Sequence, residues 1–461
     1  MRRRTFTGVL AAAAAALPTA ARADPSVVQR TLGPVGGGYD FEVAMGDPAH
    51  VKATFESALV ELQALVDAGP CLRAVLDVAA GTYELTAAID WPVGVHDVCI
   101  RGASVAPTTL RSSRPWGSTA LAINTIQAPH DCTVRLTLVV VRADAVGCRP
   151  DKCGQWLAPG VGILVGPGPA VAYANAATGL VLHSVHFDTV GNAIYYDNRP
   201  TQQDPGRAMG DIVIKHCYFP RSCLHLRAAS GLPEFLHHKV LLRARKELTT
   251  ELDISDNTFV ADPGQHALWS PTTVGVTDEL HIFGDPAMGF GMTATAVCGG
   301  TIARNTFTGA SRECLYVGDY RQLSIHDNIM SDSRRVGMSF VRGHDSLVAG
   351  NVIDGAWQRG LRIDYCSDCT WVGNEAYDVG KIPEVNPELD LYFGPWGPPT
   401  SGISLVASTN NVVEENIIEG MHGFAVAQLK DPGLETCPGA NTIVGNDLIG
   451  PAQAWYYDDC M

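Results

Sequence analysis

Four asparagines recur at one interval. Asn305 in IARNTF, Asn328 in IHDNIM, Asn351 in VAGNVI and Asn374 in WVGNEA are each 23 residues apart. A short β-like segment runs into each Asn, an apolar pair follows, and a turn containing Gly or Ser comes next. A second short strand then appears: CLYV, GMSF, GLRI. A fixed period of this length means stacked repeats, because one unit cannot bury an apolar face alone. Strands this short, separated by turn residues, read as β, and no helical spacing runs through the region. Asn tolerates left-handed backbone, so it can sit at a corner between strands, and its amide can bond the equivalent amide one repeat away. The expectation is an all-β fold: a right-handed single-stranded parallel β-helix, with three parallel sheets around a filled core.

The register extends in both directions. Asn257 in ISDNTF fits upstream, and Asn416 in VEENII and Asn446 in IVGNDL fit downstream, with steps of 48, 42 and 30 residues where loops enter between coils. HSVHF near 185 and KHCYF near 217 keep the pattern without the Asn. An open solenoid end exposes unpaired strands and must be covered. Residues 54–67, TFESALVELQALVD, place Phe55, Leu59, Leu62 and Val66 on one helical face and read as an N-terminal capping helix. RAVLDVAAGTYEL then opens the first coil. The stretch 229–300 breaks the rhythm and reads as a long insertion. So do parts of 381–400, rich in Pro, Gly and aromatics; loops on one face often wall a cleft.

A chain of 461 residues, 46% hydrophobic, suits one solenoid domain, which grows in a single dimension. A net charge of -15 argues against a nucleic-acid partner, although a local basic cleft is compatible with it. The start, MRRRTFTGVLAAAAAALPTAARA, reads as a secretory signal over 1–23, and Arg3-Arg4-Thr5-Phe6 also fits a twin-arginine signal. Its apolar run is too short to span a bilayer, so no membrane span is expected. The domain then runs over 24–461 in a secreted or periplasmic protein. In an oxidising compartment most of the 13 cysteines should pair, with Cys148–Cys153 and Cys366–Cys369 near enough for local bridges. An odd count leaves one thiol over. CSDC has no second pair at zinc spacing.

Strand alternation sorts the second strand of each repeat. Leu224, Leu268, Leu315, Met338, Leu361 and Ile403 point inward; His225, Trp269, Tyr316, Ser339, Arg362 and Ser404 point outward. Ile194 and Tyr195 continue the columns upstream. One position further out lie Asp197, Arg227 and Asp364, with Asp319 and Arg342 close by. Parallel stacking sets such rows about 4.8 Å apart. The result is a strip of aromatic and Arg side chains edged by Asp and Arg, able to hold the faces and hydroxyls of a sugar polymer. The same pattern also fits a plain polar sheet face covered by aromatics.

Two chemistries suit the strip. Glycoside hydrolysis needs two carboxyl groups, for which Asp319 and Asp364 are candidates and Glu313 a further one. Elimination on uronic acids needs a cation or calcium at the carboxylate and a base for a ring proton. Arg227, Arg342 and Arg362 could neutralise; His225 or Tyr316 could be the base. The expected catalytic set is Arg362, Asp364, Arg342, Asp319 and His225. The expected substrate-binding set is Tyr195, Asp197, Arg227, Trp269 and Tyr316. Calcium (Ca2+) is the one candidate cofactor, although no loop carries a dedicated calcium pattern.

LDVAAGTYEL…VCIRGAS and the Asn repeats resemble the pectin-lyase-like group of right-handed β-helix proteins over roughly 74–459. The resemblance implies a polysaccharide lyase or glycoside hydrolase, on a fold that hosts many activities. SFVRGHDSLVAGNVIDGAWQRGLRI is similar to the run in alginate and chondroitin lyases where an Arg strand precedes an Asn turn and a Gly-x-Arg strand, which implies roles for Arg342 and Arg362; the lysine of those lyases is replaced near Gly318. The YD start, GTYEL, LDLY at 389–392 and NNVVEEN at 410–416 resemble inulin fructotransferases, which cut a fructan intramolecularly with an Asp/Glu pair. The corresponding coil here, KHCYFPRSCLHL, offers His216 and His225 and no carboxylate. The function expected is a secreted enzyme cleaving glycosidic bonds of a polysaccharide or oligosaccharide in a groove on the β-helix, lyase-type. An inverting glycoside hydrolase and a non-catalytic glycan-binding solenoid are the alternatives. The sequence leaves the oligomeric state open.

Overall fold

The computed structural model describes residues 27–69, 71–113, 123–128, 131–144, 160–165, 178–189, 192–198, 209–220, 238–244, 252–260, 278–284, 297–310, 313–333, 335–380, 400–430, 439–450 and 454–458. The chain winds through successive coils of three short strands. Each strand pairs in parallel with its equivalents in the coils before and after it. Among the described residues the three sheets hold 14, 12 and 13 strands. The first ends at Thr442–Val444, the second at Asp447–Ile449 and the third at Ala454–Asp458. The right-handed parallel β-helix expected from the 23-residue period is the fold of the chain.

Inner positions stack by type along the axis. In the first sheet Ile302, Ile325, Val348, Trp371 and Val413 follow one another in register. In the second, Phe187, Phe219, Phe259 and Phe307 form a pile with ring centroids 5.1, 4.5 and 4.6 Å apart. All are buried, so each contributes both apolar area and ring stacking.

The asparagines form the expected ladder. Asn305, Asn328, Asn351 and Asn374 each donate from Nδ2 to the Oδ1 of the next, at 2.9, 2.9, 2.9 and 3.0 Å. Each backbone N–H also donates to that same oxygen. The left-handed corner belongs to the residue before the Asn: Arg304 (φ 55), Asp327 (φ 56), Gly350 (φ 61) and Gly373 (φ 61). This corrects the expectation that Asn itself makes the turn. Its short amide is used inside the coil, where every lone pair and N–H of a buried group needs a partner.

A helix, Pro48–Ala68, covers the first coils. The Asp47 side chain accepts from the N–H groups of Ala49 and His50 at 3.1 Å, and Pro48 starts the helix without an N–H to satisfy. The helix therefore begins several residues before 54. Phe55, Leu59, Leu62 and Val66 are buried as expected, and Phe55 meets the edge of Tyr83 at 5.7 Å. Two strands precede the helix, Val27–Pro34 and Phe41–Val43, and extend the first sheet beyond Arg73–Val78. RAVLDV is thus not the first strand.

The reading of 229–300 as one insertion is also corrected. His238–Ala244, Leu252–Ser255, Thr258–Val260 and Asp278–Gly284 are strands of the third, first, second and third sheets. The coil therefore continues through this stretch. Residues 1–23, most of 381–400, Cys148 and Cys153 lie outside the described residues. Cys366 and Cys369 are thiols, not a bridge. The Cys366 sulfur accepts from Gly343 N–H at 3.3 Å and donates to the Asp364 carbonyl at 3.4 Å, while the Cys369 sulfur donates to the Ser367 carbonyl at 3.2 Å. Each is occupied by backbone of its own corner. Among the described residues no helix is long and apolar enough to cross a membrane.

Candidate functional site

The outer column of the third sheet runs Tyr195, Leu241, His281, Tyr316, Ser339, Arg362, Ser404 in register. Tyr316, Ser339 and Arg362 therefore line up on neighbouring coils as their spacing predicts. The places expected for His225 and Trp269 are held by Leu241 and His281, because the strands there are His238–Ala244 and Asp278–Gly284. His225, Arg227 and Trp269 lie outside the described residues. Tyr195 and Asp197 share the columns of Arg362 and Asp364 but sit five coils away, about 24 Å at the usual strand spacing. They belong to a different stretch of the face.

Arg342 and Asp319 occupy matching corners of adjacent coils. Both have left-handed backbone, φ 54 and φ 50, which swings their side chains together at the sheet edge. Arg342 Nε and Nη2 donate to the two Asp319 oxygens, each at 2.6 Å. Asp319 is 2% exposed, whereas the Arg342 side chain remains partly open. The hydrogen bonds to Asp319 hold the guanidinium above its ordinary value, against the opposing effect of burial. A two-pronged pair of this kind is both strong and directional.

A second charged group lies beside it on the strand Arg359–Asp364. Arg362 Nη2 donates to Asp364 Oδ2, and Asp364 is 2% exposed. Burial pulls Arg362 down, and the charge and hydrogen bond of Asp364 more than offset it, so the guanidinium stays cationic. Tyr316 shares the strand Glu313–Arg321 with Asp319, two coils before Arg362, and acts electrostatically on both Arg342 and Arg362. Glu313, fully buried, lies 3.5 Å from Arg335.

Arg359 was not singled out by alternation, and the reason is the glycine that follows it. The ladder between Val336–His344, Arg359–Asp364 and Ser401–Val406 skips Gly337, Gly360 and Gly402. A Cβ on these glycines would meet Ile353, Ala376 and Ile418, which are core residues of the second sheet. Two successive residues thus face inward, Gly360 then Leu361, and Arg359 joins the outer side with Arg362. Arg359 is 4% exposed; burial, then the nearby Arg362, push it down to about 10, with Asp364 opposing. The only sequence sign of this is the glycine that opens each GMSF, GLRI and GISL segment.

Among the described residues no three His, Cys, Asp or Glu side chains gather closely enough to hold a metal ion. The arrangement offers fixed cations, two arginine-held carboxylates and one phenol on a continuous wall. It suits recognition of a polar chain.

Residues 287–448 match the family described as "Right handed beta helix region". No curated protein sequence matches the chain. Among solved structures it is similar to PfbA, a surface adhesin of Streptococcus pneumoniae, with TM-score 0.56 and 12% identity over 90% of this chain and 91% of that one. It is also similar to DFA-IIIase from Arthrobacter chlorophenolicus A6 in complex with GF2, with TM-score 0.51 and 14% identity over 91% and 98%. At such identities the likeness shows the fold, and function must be argued from the site.

Proposed function

We propose that this β-helix binds a polysaccharide along the outer face of its third sheet and cleaves its glycosidic bonds by a lyase-type reaction at Tyr316 and Arg362. The observation that supports this most is the register of Tyr316, Ser339 and Arg362 on three consecutive coils, with the Arg342–Asp319 clamp at the edge. Elimination requires that the charge of a uronate carboxylate be neutralised and that a ring proton be removed. Arg362, kept cationic by Asp364, is suited to the first task. Tyr316, as its phenolate, would serve the second. The proton beside the carboxylate passes to the phenolate oxygen, the C–H electron pair forms a carbon–carbon double bond, and the glycosidic oxygen leaves with the C–O electron pair and takes that proton back from Tyr316, which regenerates the phenolate.

An inverting hydrolase would use Asp319 or Asp364 as a proton donor. Asp319 has both oxygens engaged by Arg342, so giving up a proton there would first require breaking the clamp. That geometry favours a binding and positioning role for it. With 1–23 read as an export signal, the protein would meet such polymers outside the cytoplasm.

The test is a polysaccharide panel with product analysis on the wild type and Arg362→Ala. Unsaturated products that vanish in the variant support the reading. New reducing ends without unsaturation would move it to hydrolysis. Binding with no product from any polymer would leave a glycan-binding surface.

A further inference from the structure

Arg359 is a buried cation that forms no ion pair among the described residues. It is 4% exposed, and its Nε has no hydrogen-bond partner among the described residues. The charges that act on it include Arg362 and Arg335, both like, and Asp364, opposite. Its neighbour on the next coil is Ser401, and the neighbour of Arg362 on the preceding coil is Ser339. Both serines are 0% exposed, and both hydroxyls lack a partner among the described residues. An isolated buried charge costs several kcal/mol or more unless something pairs with it. Buried donors left open in one place call for an acceptor. Here the Arg359 guanidinium and the Ser401 hydroxyl are register neighbours on adjacent coils, each with a polar atom that has no partner among the described residues, while Ser339 lies further along, beside Arg362.

We propose that Arg359 and Ser401 form a subsite for an anionic substituent of the glycan, a carboxylate or a sulfate, separate from the group that Arg362 would neutralise at the cleaved bond. This rests on the reading of the third sheet as the polysaccharide-binding face and narrows its substrate to a polyanion carrying charge at more than one position. A planar guanidinium with a flanking hydroxyl matches the several acceptor oxygens of either anion. The sliver of Arg359 still accessible is where the oxygens would enter.

Calorimetric titration decides it, with three probes: oligogalacturonate (carboxylate only), oligomers of a sulfated galactan (sulfate only) and inulin oligomers (neutral). The wild type should bind at least one anionic probe more than about tenfold tighter than inulin, and more weakly as salt rises. Which anionic probe binds identifies the group. Arg359→Gln should lower that affinity by roughly ten- to a hundredfold, and Ser401→Ala by a smaller factor, while inulin binding stays as it was. If Arg359→Gln does not fold, Arg359→Lys and Ser401→Ala carry the comparison, because lysine keeps the charge and loses the planar fork. Equal binding of neutral and anionic probes overturns the subsite, as does undiminished anion affinity in the variants. So does stabilisation by inorganic sulfate without any preference among the glycans. Anion-selective binding without cleaved products would sink the lyase reading and leave the subsite standing. Unsaturated products from oligogalacturonate, with anion affinity undiminished in the Arg359 and Ser401 variants, would do the reverse, and no binding of any glycan would sink both.

Discussion

Arg342 grips Asp319 from the adjacent coil with two nitrogens, each 2.6 Å from a different carboxylate oxygen, and both residues sit in left-handed backbone. Asp319 is buried. The pair fixes the edge of the outer face on which Tyr316 and Arg362 stand.

Asp319→Asn should weaken that edge. The amide can accept only one of the two guanidinium bonds, and its NH2 would oppose the other. A cost of about 1 kcal/mol is expected, at the low end for a charged pair because Arg342 is partly open to water. Turnover should fall with it if the edge positions substrate. An unchanged thermal midpoint in both Asp319→Asn and Arg342→Gln would show the clamp to be incidental.

Asn351→Ala should be far more damaging than Asn446→Ala. Asn351 is buried; its loss leaves the Asn328 N–H without its acceptor, takes one acceptor from Asn328 Nδ2, and removes the side-chain donor to Asn374 Oδ1 and to the Ile325 carbonyl. Roughly 3–5 kcal/mol is expected there. At Asn446, on the last coil, water can reach the groups left behind, and about 1 kcal/mol is expected. Denaturant midpoints of the two variants give the comparison, and equal shifts would contradict the ladder's weight in the interior.

Asp354→Asn should stabilise the protein at neutral pH. Burial first, then Asp378 and Asp332, raise the Asp354 carboxyl above its ordinary 3.8. A raised value in the folded state means that its charged form is disfavoured there. The contribution of Asp354 to stability is therefore fully present below 3.8 and is lost as pH climbs through the raised value. The variant's advantage should appear at pH 7, shrink as salt screens the two neighbours, and vanish in acid. A variant no more stable than the wild type at pH 7 refutes it.

Cys366 and Cys369 should resist alkylation at pH 8 in the folded protein. Burial pushes both thiols up, Cys369 to about 12 and Cys366 further still, so almost no thiolate is present to react. Unfolding without reductant should release both for labelling. A CSDC peptide lighter by two hydrogens would mean that the two had paired after all.

What could be read from the sequence was what repeats. The Asn ladder, the three sheets and the alignment of 316, 339 and 362 all follow from a period that the chain states openly. The capping helix was legible for the same reason, since Phe55, Leu59, Leu62 and Val66 declare one face. Misreadings came where the period is interrupted without the coil being lost. HKVLLRA and DELHIFG carry no Asn beside them to mark their place, so Leu241 and His281 were passed over in favour of His225 and Trp269. Arg359 was hidden differently. Simple alternation puts it on the same side as Leu361, and only the extra inward residue at Gly360 reverses that. Cysteine spacing said nothing about where Cys366 and Cys369 would aim their sulfurs.

Because every turn of the spiral repeats the same climb, the outer wall is divisible. Deleting or duplicating one 23-residue winding between Asn305 and Asn374 would shorten or lengthen the track by a single step while leaving the joints above and below matched. If the wall binds a glycan as proposed, such a change would alter how many sugar units it could span while keeping the stacking pattern that holds the coils together.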